Sequence, residues 1–222
     1  MSYAALHGRV EEMARRLWAA GVRPGQHVAA LLPNQPDFVV LIHALARLGA
    51  VLVPLNIRLT PAELEWQAAQ ARCPVVVCSA ETEPLAHPLG RMGRRLLTVD
   101  APLTPPVEAL AGYTPAPMPA HSFDLEAVQA IVFTSGTTGS PKGAMLTFAN
   151  HYWSATASAS RLGVLPGDRW LLCMPLYHVG GMAIVLRSCL YGTAVVLQER
   201  FDAGDAAEAL ETRGVTLFSL VP

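Results

Sequence analysis

Apolar residues along most of the chain follow two alternating patterns, the spacing of amphipathic helices and short runs typical of buried strands. Residues 4–20 carry one apolar stripe at helical spacing, and Ser2 precedes it as a candidate N-cap. Further helices are predicted at about 36–48, 60–72, 147–162, 182–191 and 203–213. Strands are predicted at 28–32, 51–53, 75–78, 96–99, 130–133, 170–174, 194–197 and 215–219. Strands that alternate with helices predict an α/β fold built on a parallel sheet.

One segment breaks this alternation. Residues 101–120 contain six prolines and almost no periodicity, which predicts a surface connection. A linker between two domains is the alternative. We favour a long loop within one domain, because the apolar strand at 130–133 needs the preceding sheet to bury it.

Composition narrows the class of protein. The 222 residues are 52% hydrophobic and 15% charged, which suits a parallel sheet covered on both faces. The net charge of −1 argues against nucleic acid as a partner. Charged residues, glycine and proline interrupt the longest apolar tract, Val39–Leu55, so no integral membrane segment is predicted. No N-terminal signal pattern is present, and we expect a cytoplasmic protein.

Cysteine and histidine usage argues against a metal centre. The four cysteines, at positions 73, 78, 173 and 189, form no C-x-x-C pair and mostly lie in apolar runs, as reduced core thiols do. The seven histidines are scattered without an H-E-x-x-H motif. We therefore expect neither a disulfide framework nor a metal-binding residue.

The stretch richest in potential ligand-binding groups runs from Thr134 to Gly143, with the sequence TSGTTGSPKG. It lies between a predicted strand and a predicted helix, the general plan of a phosphate site, where glycines let the backbone approach an anion and N–H groups and hydroxyls donate to it. Lys142 is the only lysine beside fifteen arginines. Neither a Walker A loop nor a G-x-S-x-G elbow fits this spacing. The residues alone predict an anion-binding loop, and an ordinary strand-to-helix turn is the alternative.

This stretch resembles the phosphate-binding signature [ST]-S-G-[ST]-T-G-x-P-K-G of the adenylate-forming superfamily, which includes the acyl-CoA synthetases, and the resemblance extends over nearly the whole chain. It implies that the loop binds the β- and γ-phosphates of ATP while a carboxylate attacks the α-phosphorus. The implied phosphate-binding residues are Thr134, Ser135, Gly136, Thr137, Thr138, Gly139 and Lys142. Mg²⁺ and CoA are implied as the further substrates of an intact enzyme.

A second constellation, Pro175–Gly181, follows a predicted strand at the end where open α/β sheets bind ligands. Taken alone, His178 is more readily explained as a packed or capping histidine. The segment resembles the aromatic-His segment that lines the acyl pocket of the superfamily, which implies that His178 positions the reacting carboxylate and joins Lys142 as a catalytic residue. The implied acyl-substrate residues are Tyr177, His178, Gly181 and Arg187.

Two shorter stretches, 150–155 and 177–188, resemble the o-succinylbenzoate–CoA ligases of menaquinone biosynthesis. Arg187 interrupts an apolar helix there. If it faces the acyl pocket, its guanidinium would recognise the second carboxylate of a dicarboxylate substrate. The alternative is that Arg187 extends to solvent or pairs with an acidic residue elsewhere.

The resemblance covers only the first half of such enzymes. It implies a partial N-terminal AMP-binding domain made of two stacked α/β subdomains of parallel type. Residues 28–160 would form the first, residues 1–26 and 161–222 would contribute to an incomplete second, and the C-terminal lid domain is absent. Because an incomplete sheet exposes apolar surface, we expect the chain alone to be poorly soluble.

The function implied for the intact enzyme is that of an ATP-dependent acid–CoA ligase, which forms an acyl-adenylate from o-succinylbenzoate and then an acyl-CoA. Its partners would be the small-molecule acid, ATP and CoA, and the sequence leaves a homo-oligomer open. A medium- or long-chain fatty acyl-CoA synthetase is one alternative. A truncated, non-catalytic remnant is the other, and the 222-residue chain alone is expected to be inactive.

Overall fold

The computed structural model describes residues 1–119, 123–134 and 141–219. Its helices are α1 Tyr3–Ala19, α2 Pro36–Leu48, α3 Pro61–Gln70, α4 Glu83–Arg91, α5 Phe148–Leu162, α6 Val179–Tyr191 and α7 Ala203–Thr212, with a short 3₁₀ helix at Leu110–Gly112. Its strands are β1 His27–Leu31, β2 Val51–Pro54, β3 Val75–Cys78, β4 Arg95–Thr98, β5 Glu108–Ala109, β6 Val128–Thr134, β7 Lys142–Thr147, β8 Arg169–Leu172, β9 Ala194–Leu197 and β10 Leu217–Phe218.

These strands form two sheets. One has seven strands in the order β5-β4-β3-β1-β2-β6-β7, and the other has three in the order β10-β8-β9. Every neighbouring pair is parallel except β6 and β7, which are antiparallel. The predicted α/β class with a mostly parallel sheet is therefore confirmed.

The two sheets share one apolar core. Side chains from one face of β1, β6 and β8 pack together with buried residues of α1, α2 and α6. The opposite face of the seven-stranded sheet packs against α3 and α4, and the opposite face of β8 packs against α7. Both sheets thus lie between layers of helices, which explains why their strands read as continuous apolar runs. The division into a first and a second subdomain stays a prediction.

Local signals begin and end the helices as the sequence predicts. The Ser2 side chain caps α1 by accepting a hydrogen bond from Ala5 N at 3.2 Å. Thr60 and Glu63 form a reciprocal capping box at the start of α3, which satisfies free N–H groups of its first turn. Gly49 ends α2 in the left-handed region, with φ 74°, a conformation that glycine adopts without steric cost.

The main difference from the prediction follows the phosphate-loop sequence. We expected the loop to lead directly into a helix, but residues 142–147 form β7, which pairs with β6 as an edge strand. The helix α5 begins only at Phe148, where Thr147 caps it by accepting from Asn150 N. The strand was missed because its outer residues are exposed and lack the apolar run that marks the buried strands.

Four other elements also differ between the sequence prediction and the structure. The helix α4 was not predicted because prolines occupy positions 84 and 88 within it, although the first of them lies in the first turn, where proline is tolerated. Residues 101–120 are not entirely a loop, since β5 extends the sheet by pairing with β4. The helix α6 begins three residues earlier than predicted, and β10 is shorter than the predicted 215–219.

Several large apolar side chains lie exposed on the described surface. They include Met145, Trp153, Leu162, Leu165 and Phe201. The predicted poor solubility of the chain alone is consistent with this exposure and stays a prediction. In the described part of the chain, each helix is too short or too polar to cross a bilayer.

Candidate active site

The candidate site lies at one edge of the seven-stranded sheet. Because β2 and β6 are parallel neighbours, the chain leaves both strands at the same edge. Thr134, the last residue of β6, is paired with Lys142, the first residue of β7. The predicted phosphate loop therefore spans the end of a β-hairpin, and Lys142 stands exposed at its base. It forms no ion pair with any residue in the described ranges.

The central residues of the predicted phosphate loop lie outside the described residues. They are Ser135, Gly136, Thr137, Thr138 and Gly139. Their contact with phosphate stays a prediction. The structure does explain the glycine that follows Lys142, because a Cβ on Gly143 would lie 2.9 Å from Ile131 Cγ2 and 3.5 Å from the Phe133 ring. A side chain at this position would therefore require Ile131 to shift.

The His178 segment follows β8 in the three-stranded sheet. Tyr177 is buried, and its ring centroid lies 4.7 Å from that of His178 in an edge-on arrangement. His178 is the N-cap of α6, with extended backbone and an exposed side chain. Partial burial of the ring, and then the positive charge of Arg58, lower the pKa of His178 below its ordinary value. The imidazole is therefore neutral near pH 7.

Arg58 is a functional candidate that sequence reasoning missed. It lies just beyond the carboxyl end of β2, and its N–H donates to Asn56 Oδ1 at 2.9 Å, which forms a tight turn. Its positive charge acts on His178 and contributes, after partial burial, to the lowered pKa of that imidazole. The sequence did offer one indication of Arg58: it is a cationic residue in the loop after a buried strand. Such loops lie at the ligand-binding edge of an open sheet.

Gly181 allows the His178 segment to lie directly against α6. A Cβ at this position would lie 2.4 Å from Pro175 O and 2.8 Å from Met174 O, which are backbone atoms. At Gly180 the nearest atom would be Met174 Cε, at 2.4 Å, the end of a flexible side chain. The predicted site residue Gly181 is thus required by close backbone packing, and its contact with substrate stays a prediction.

Arg187 is half-buried between α6, α5 and β8. Its Nε donates to Ala183 O and its Nη1 to Ser158 Oγ, both at 3.1 Å, and its guanidinium lies 4.9 Å from the centre of the Trp170 ring. Burial lowers its pKa from the ordinary value. It forms no ion pair with an acidic residue in the described part of the chain. The side chain therefore keeps an unpaired positive charge in a partly desolvated place.

The cysteines do not join this site. Cys73, Cys78 and Cys173 are buried free thiols, and burial raises the pKa of Cys73 and that of Cys78 to about 12. Cys189 is exposed, which differs from the expectation for a core thiol. No group of three or more His, Cys, Asp or Glu side chains that could hold a metal ion occurs among the described residues. The expectation of no metal-binding residue stays a prediction.

A mostly parallel α/β sheet, with a Thr/Ser/Gly-rich sequence between β6 and β7 and an exposed lysine at the start of β7, is an arrangement expected of a nucleotide-binding enzyme. The sequence model of the family described as AMP-binding enzyme matches residues 1–222. The chain belongs to this family.

Individual proteins similar to this chain belong to a narrower group within the family. The chain is 37% identical over 221 residues to the 2-succinylbenzoate–CoA ligase of Bacillus mycoides (strain KBAB4), a match that covers 100% of this chain and 43% of that protein. The same share of length is covered in 2-succinylbenzoate–CoA ligases of Bacillus cereus. The chain therefore spans less than half the length of these relatives.

Solved structures of similar proteins share the fold of this chain. The O-succinylbenzoate coenzyme A synthetase of Bacillus subtilis in complex with ATP and magnesium ion superposes with a TM-score of 0.86 at 30% identity, over 98% of this chain and 56% of that one. The same enzyme with the acyl-adenylate intermediate gives a TM-score of 0.85 at 30% identity, over 99% and 55%. A protein of Rhodopseudomonas palustris CGA009 assigned as a long-chain-fatty-acid CoA ligase gives 0.90 at 25% identity, over 100% and 57%.

Proposed function

We propose that this chain is the ATP- and acid-binding part of an ATP-dependent acid–CoA ligase that acts on o-succinylbenzoate. The observation that carries the proposal is the half-buried guanidinium of Arg187, which has no acidic partner in the described residues and lies on the helix that begins at His178. The names of the relatives support the same substrate, because the Bacillus proteins are 2-succinylbenzoate–CoA ligases.

The direction of the Arg187 side chain supports recognition of a dicarboxylate. Its Nε bonds to the carbonyl of Ala183, so the guanidinium folds back one turn toward the His178 end of α6. His178 lies nine residues before Arg187, which corresponds to about 13 Å along a helix axis. In the proposed complex the reacting carboxylate of a dicarboxylate substrate would lie at His178, and the guanidinium would bind the other carboxylate.

The chemistry assigned to the chain's own residues is binding and orientation. Lys142 and the loop that it follows would neutralise the β- and γ-phosphates of ATP, bound as its Mg²⁺ complex. His178 would position the reacting carboxylate, which needs no general base because it is already ionised at pH 7. The carboxylate oxygen attacks the α-phosphorus, the bond to pyrophosphate breaks, and an acyl-adenylate forms. The CoA thiolate then attacks the acyl carbon and AMP leaves.

A fatty acyl-CoA synthetase is the second candidate, and a specific observation favours it. The similarity to the Rhodopseudomonas palustris protein extends over the whole chain at a TM-score of 0.90. A fatty acid has a single carboxylate, so it offers nothing to Arg187. The two candidates therefore differ in whether loss of this guanidinium affects turnover.

The proposal is tested first through the only lysine of the chain. Reductive methylation followed by peptide mapping of the intact native protein measures how fast Lys142 reacts. We expect ATP with Mg²⁺ to protect Lys142 and AMP to protect it much less, because AMP lacks the β- and γ-phosphates. Equal modification with and without ATP would argue for a non-catalytic remnant.

The substrate is tested by acid-dependent release of pyrophosphate from ATP by the same preparation. We expect release with o-succinylbenzoate and little with dodecanoate. Release with dodecanoate alone would favour the fatty acyl-CoA synthetase. Addition of CoA is then expected to convert the bound acyl-adenylate to acyl-CoA and AMP, which chromatography resolves. The cytoplasmic location and any homo-oligomer stay predictions.

A further inference from the structure

Asn34 connects two sheets at the edge that carries the candidate site. It follows β1 in the seven-stranded sheet, immediately before α2, and it is 7% exposed. Its side chain bonds to backbone atoms that follow β8 and β9 in the other sheet. We propose that Asn34 is a positioning residue that holds the His178 segment in place for the reacting acid. This inference rests on the proposed function of that segment.

The Asn34 amide uses both of its functional groups. Its Nδ2 donates to Met174 O at 2.9 Å and to Gln198 O at 3.3 Å, and its Oδ1 accepts from Leu176 N at 2.8 Å. An amide has two N–H donors and a carbonyl acceptor, so all three bonds can form at once. Only an amide side chain of this length combines these groups here. Aspartate would turn an anion toward two carbonyl oxygens.

The backbone groups of Met174 and Leu176 that Asn34 binds lie beyond the end of β8 and, among the described residues, are not paired with a neighbouring strand. The strand β8 ends at Leu172, so the Met174 carbonyl and the Leu176 N–H need partners outside regular structure. Leu176 is fully buried, which makes an unpaired N–H costly. Asn34 supplies both partners and thereby fixes the backbone two residues before His178.

The same segment is confined from its other side. Backbone atoms of Met174 and Pro175 lie against Gly181, where even a methyl group would not fit. The segment is therefore held between the Asn34 amide and the first turn of α6. Because Tyr177 is buried, the remaining freedom of His178 is in its own side chain. A small displacement of this backbone would move the imidazole relative to the bound acid.

The test compares Asn34→Ala with the native sequence in the intact protein, using pyrophosphate release. We expect kcat/KM for the acid to fall by roughly 10- to 100-fold, as for a misplacement of about 1 Å at a reacting centre. The KM for ATP is expected to stay within about twofold, because Lys142 is held by the separate β6–β7 hairpin. If Asn34→Ala does not fold, Asn34→Asp keeps the side-chain volume and the acceptor for Leu176, and the same selective loss is expected.

A matched control separates positioning from general destabilisation. Glu83 is also fully buried, and its carboxylate accepts from Leu103 N at 2.9 Å and Thr104 N at 2.8 Å, which fixes a loop elsewhere in the molecule. Glu83→Ala is expected to lower the melting temperature without changing kcat/KM for the acid. A similar loss of activity in both variants would overturn the proposal.

A second readout does not depend on activity. The ring resonances of His178, assigned by their loss in His178→Gln, are followed against pH by NMR. The nearby charged group is Arg58, which acts with partial burial to lower the His178 pKa. We expect Asn34→Ala to move this pKa toward the ordinary value of about 6.5, and Glu83→Ala to leave it unchanged. If native protein lacks acid-dependent activity, the proposed function fails while this titration still tests Asn34. An unchanged titration in Asn34→Ala contradicts the inference.

Discussion

The guanidinium of Arg187 bonds to Ser158 Oγ at 3.1 Å across the contact between α6 and α5. Serine is a neutral acceptor, so it orients the arginine without cancelling its charge. Since no acidic residue in the described ranges pairs with Arg187, the charge stays available to an anion. This is the arrangement expected of a side chain that recognises a ligand carboxylate.

Replacing Arg187 is expected to discriminate between substrates. Arg187→Ala should lower kcat/KM for o-succinylbenzoate by roughly 10- to 100-fold, because a charged hydrogen bond to an anion is worth about 1.5–3 kcal/mol. Arg187→Lys should recover only part of this loss, because an ammonium group cannot bind a carboxylate in two places. The exposed Arg161 of α5 provides the control, and Arg161→Ala should leave kcat/KM for o-succinylbenzoate unchanged. If Arg187→Ala lowered kcat/KM for a fatty acid by the same factor, recognition of a dicarboxylate by Arg187 would be contradicted.

Gly181 and Gly180 form a matched pair for testing the close packing of the His178 segment. Gly181→Ala should reduce the unfolding free energy by more than about 2 kcal/mol, since its methyl group would overlap backbone atoms that cannot move aside. Gly180→Ala should cost less, because the Met174 side chain can rotate away. Thermal unfolding of both variants measures the difference. Equal melting temperatures would show that the segment is not confined as described.

His43 is expected to make stability depend on pH. Its Nε2 is buried and has no hydrogen-bond partner among the residues that the structure describes, and burial lowers its pKa to about 4. An unfolded histidine titrates near 6.5, so between pH 6.5 and 4 the unfolded chain binds a proton that the folded chain does not. The unfolding free energy should therefore be fully present above pH 6.5 and fall by up to about 3 kcal/mol as the pH falls toward 4.

The measurement for His43 is chemical unfolding at several pH values between 6.5 and 4.5, in the native protein and in His43→Phe. Carboxylates titrate in the lower part of this interval, but they are common to both proteins and cancel in the comparison. The variant His43→Phe should show a shallower loss of stability over this interval, because its side chain binds no proton. His151, whose pKa burial also lowers, remains in both proteins and so cancels in the comparison. Parallel profiles for the two proteins would contradict the prediction.

Gln129 is expected to be a stabilising position for mutation. It is 1% exposed on β6, and neither Nε2 nor Oε1 has a hydrogen-bond partner among the described residues. Gln129→Met removes an unpaired buried amide at similar volume and should raise the unfolding free energy by about 1–2 kcal/mol. Gln198→Met is the comparison, because only its Oε1 lacks a partner among the described residues, while its Nε2 donates to Asp205 O at 2.9 Å. Loss of that bond should offset the gain, so Gln198→Met should stabilise less than Gln129→Met. Urea unfolding of both variants distinguishes them.

Much of the fold could be predicted because the relevant signals are local. The apolar stripe of α1, the capping box of Thr60 and Glu63, and the glycine after α2 each act over a few residues. Apolar runs marked the central strands because both faces of those strands are covered. The strand β7 was missed because it is an edge strand whose identity depends on pairing with β6 rather than on its own composition.

The candidate site was predicted only in part, for the same reason. The phosphate-loop sequence and the His178 segment are continuous in the chain and could be recognised directly. Arg58 could not be associated with His178, because 120 positions separate them and its electrostatic effect on the imidazole arises only in the folded chain. The role of Asn34 could not be predicted from the sequence, since its partners Met174 and Leu176 lie 140 and 142 positions away.

The sequence by itself determined the alternation of strands and helices, the helix caps and the composition of the loop from Thr134 to Gly143, because these depend on spacing and on residue type within a few positions. Tertiary structure alone decided that β1, β2 and β6 end at the same edge of one sheet and that the residues following β8 lie against this edge. It also decided that the Asn34 side chain bonds to the backbone of Met174 and Leu176, just before His178. These relationships depend on the packing of one sheet against the other, which follows from burial of the whole apolar core rather than from any local pattern.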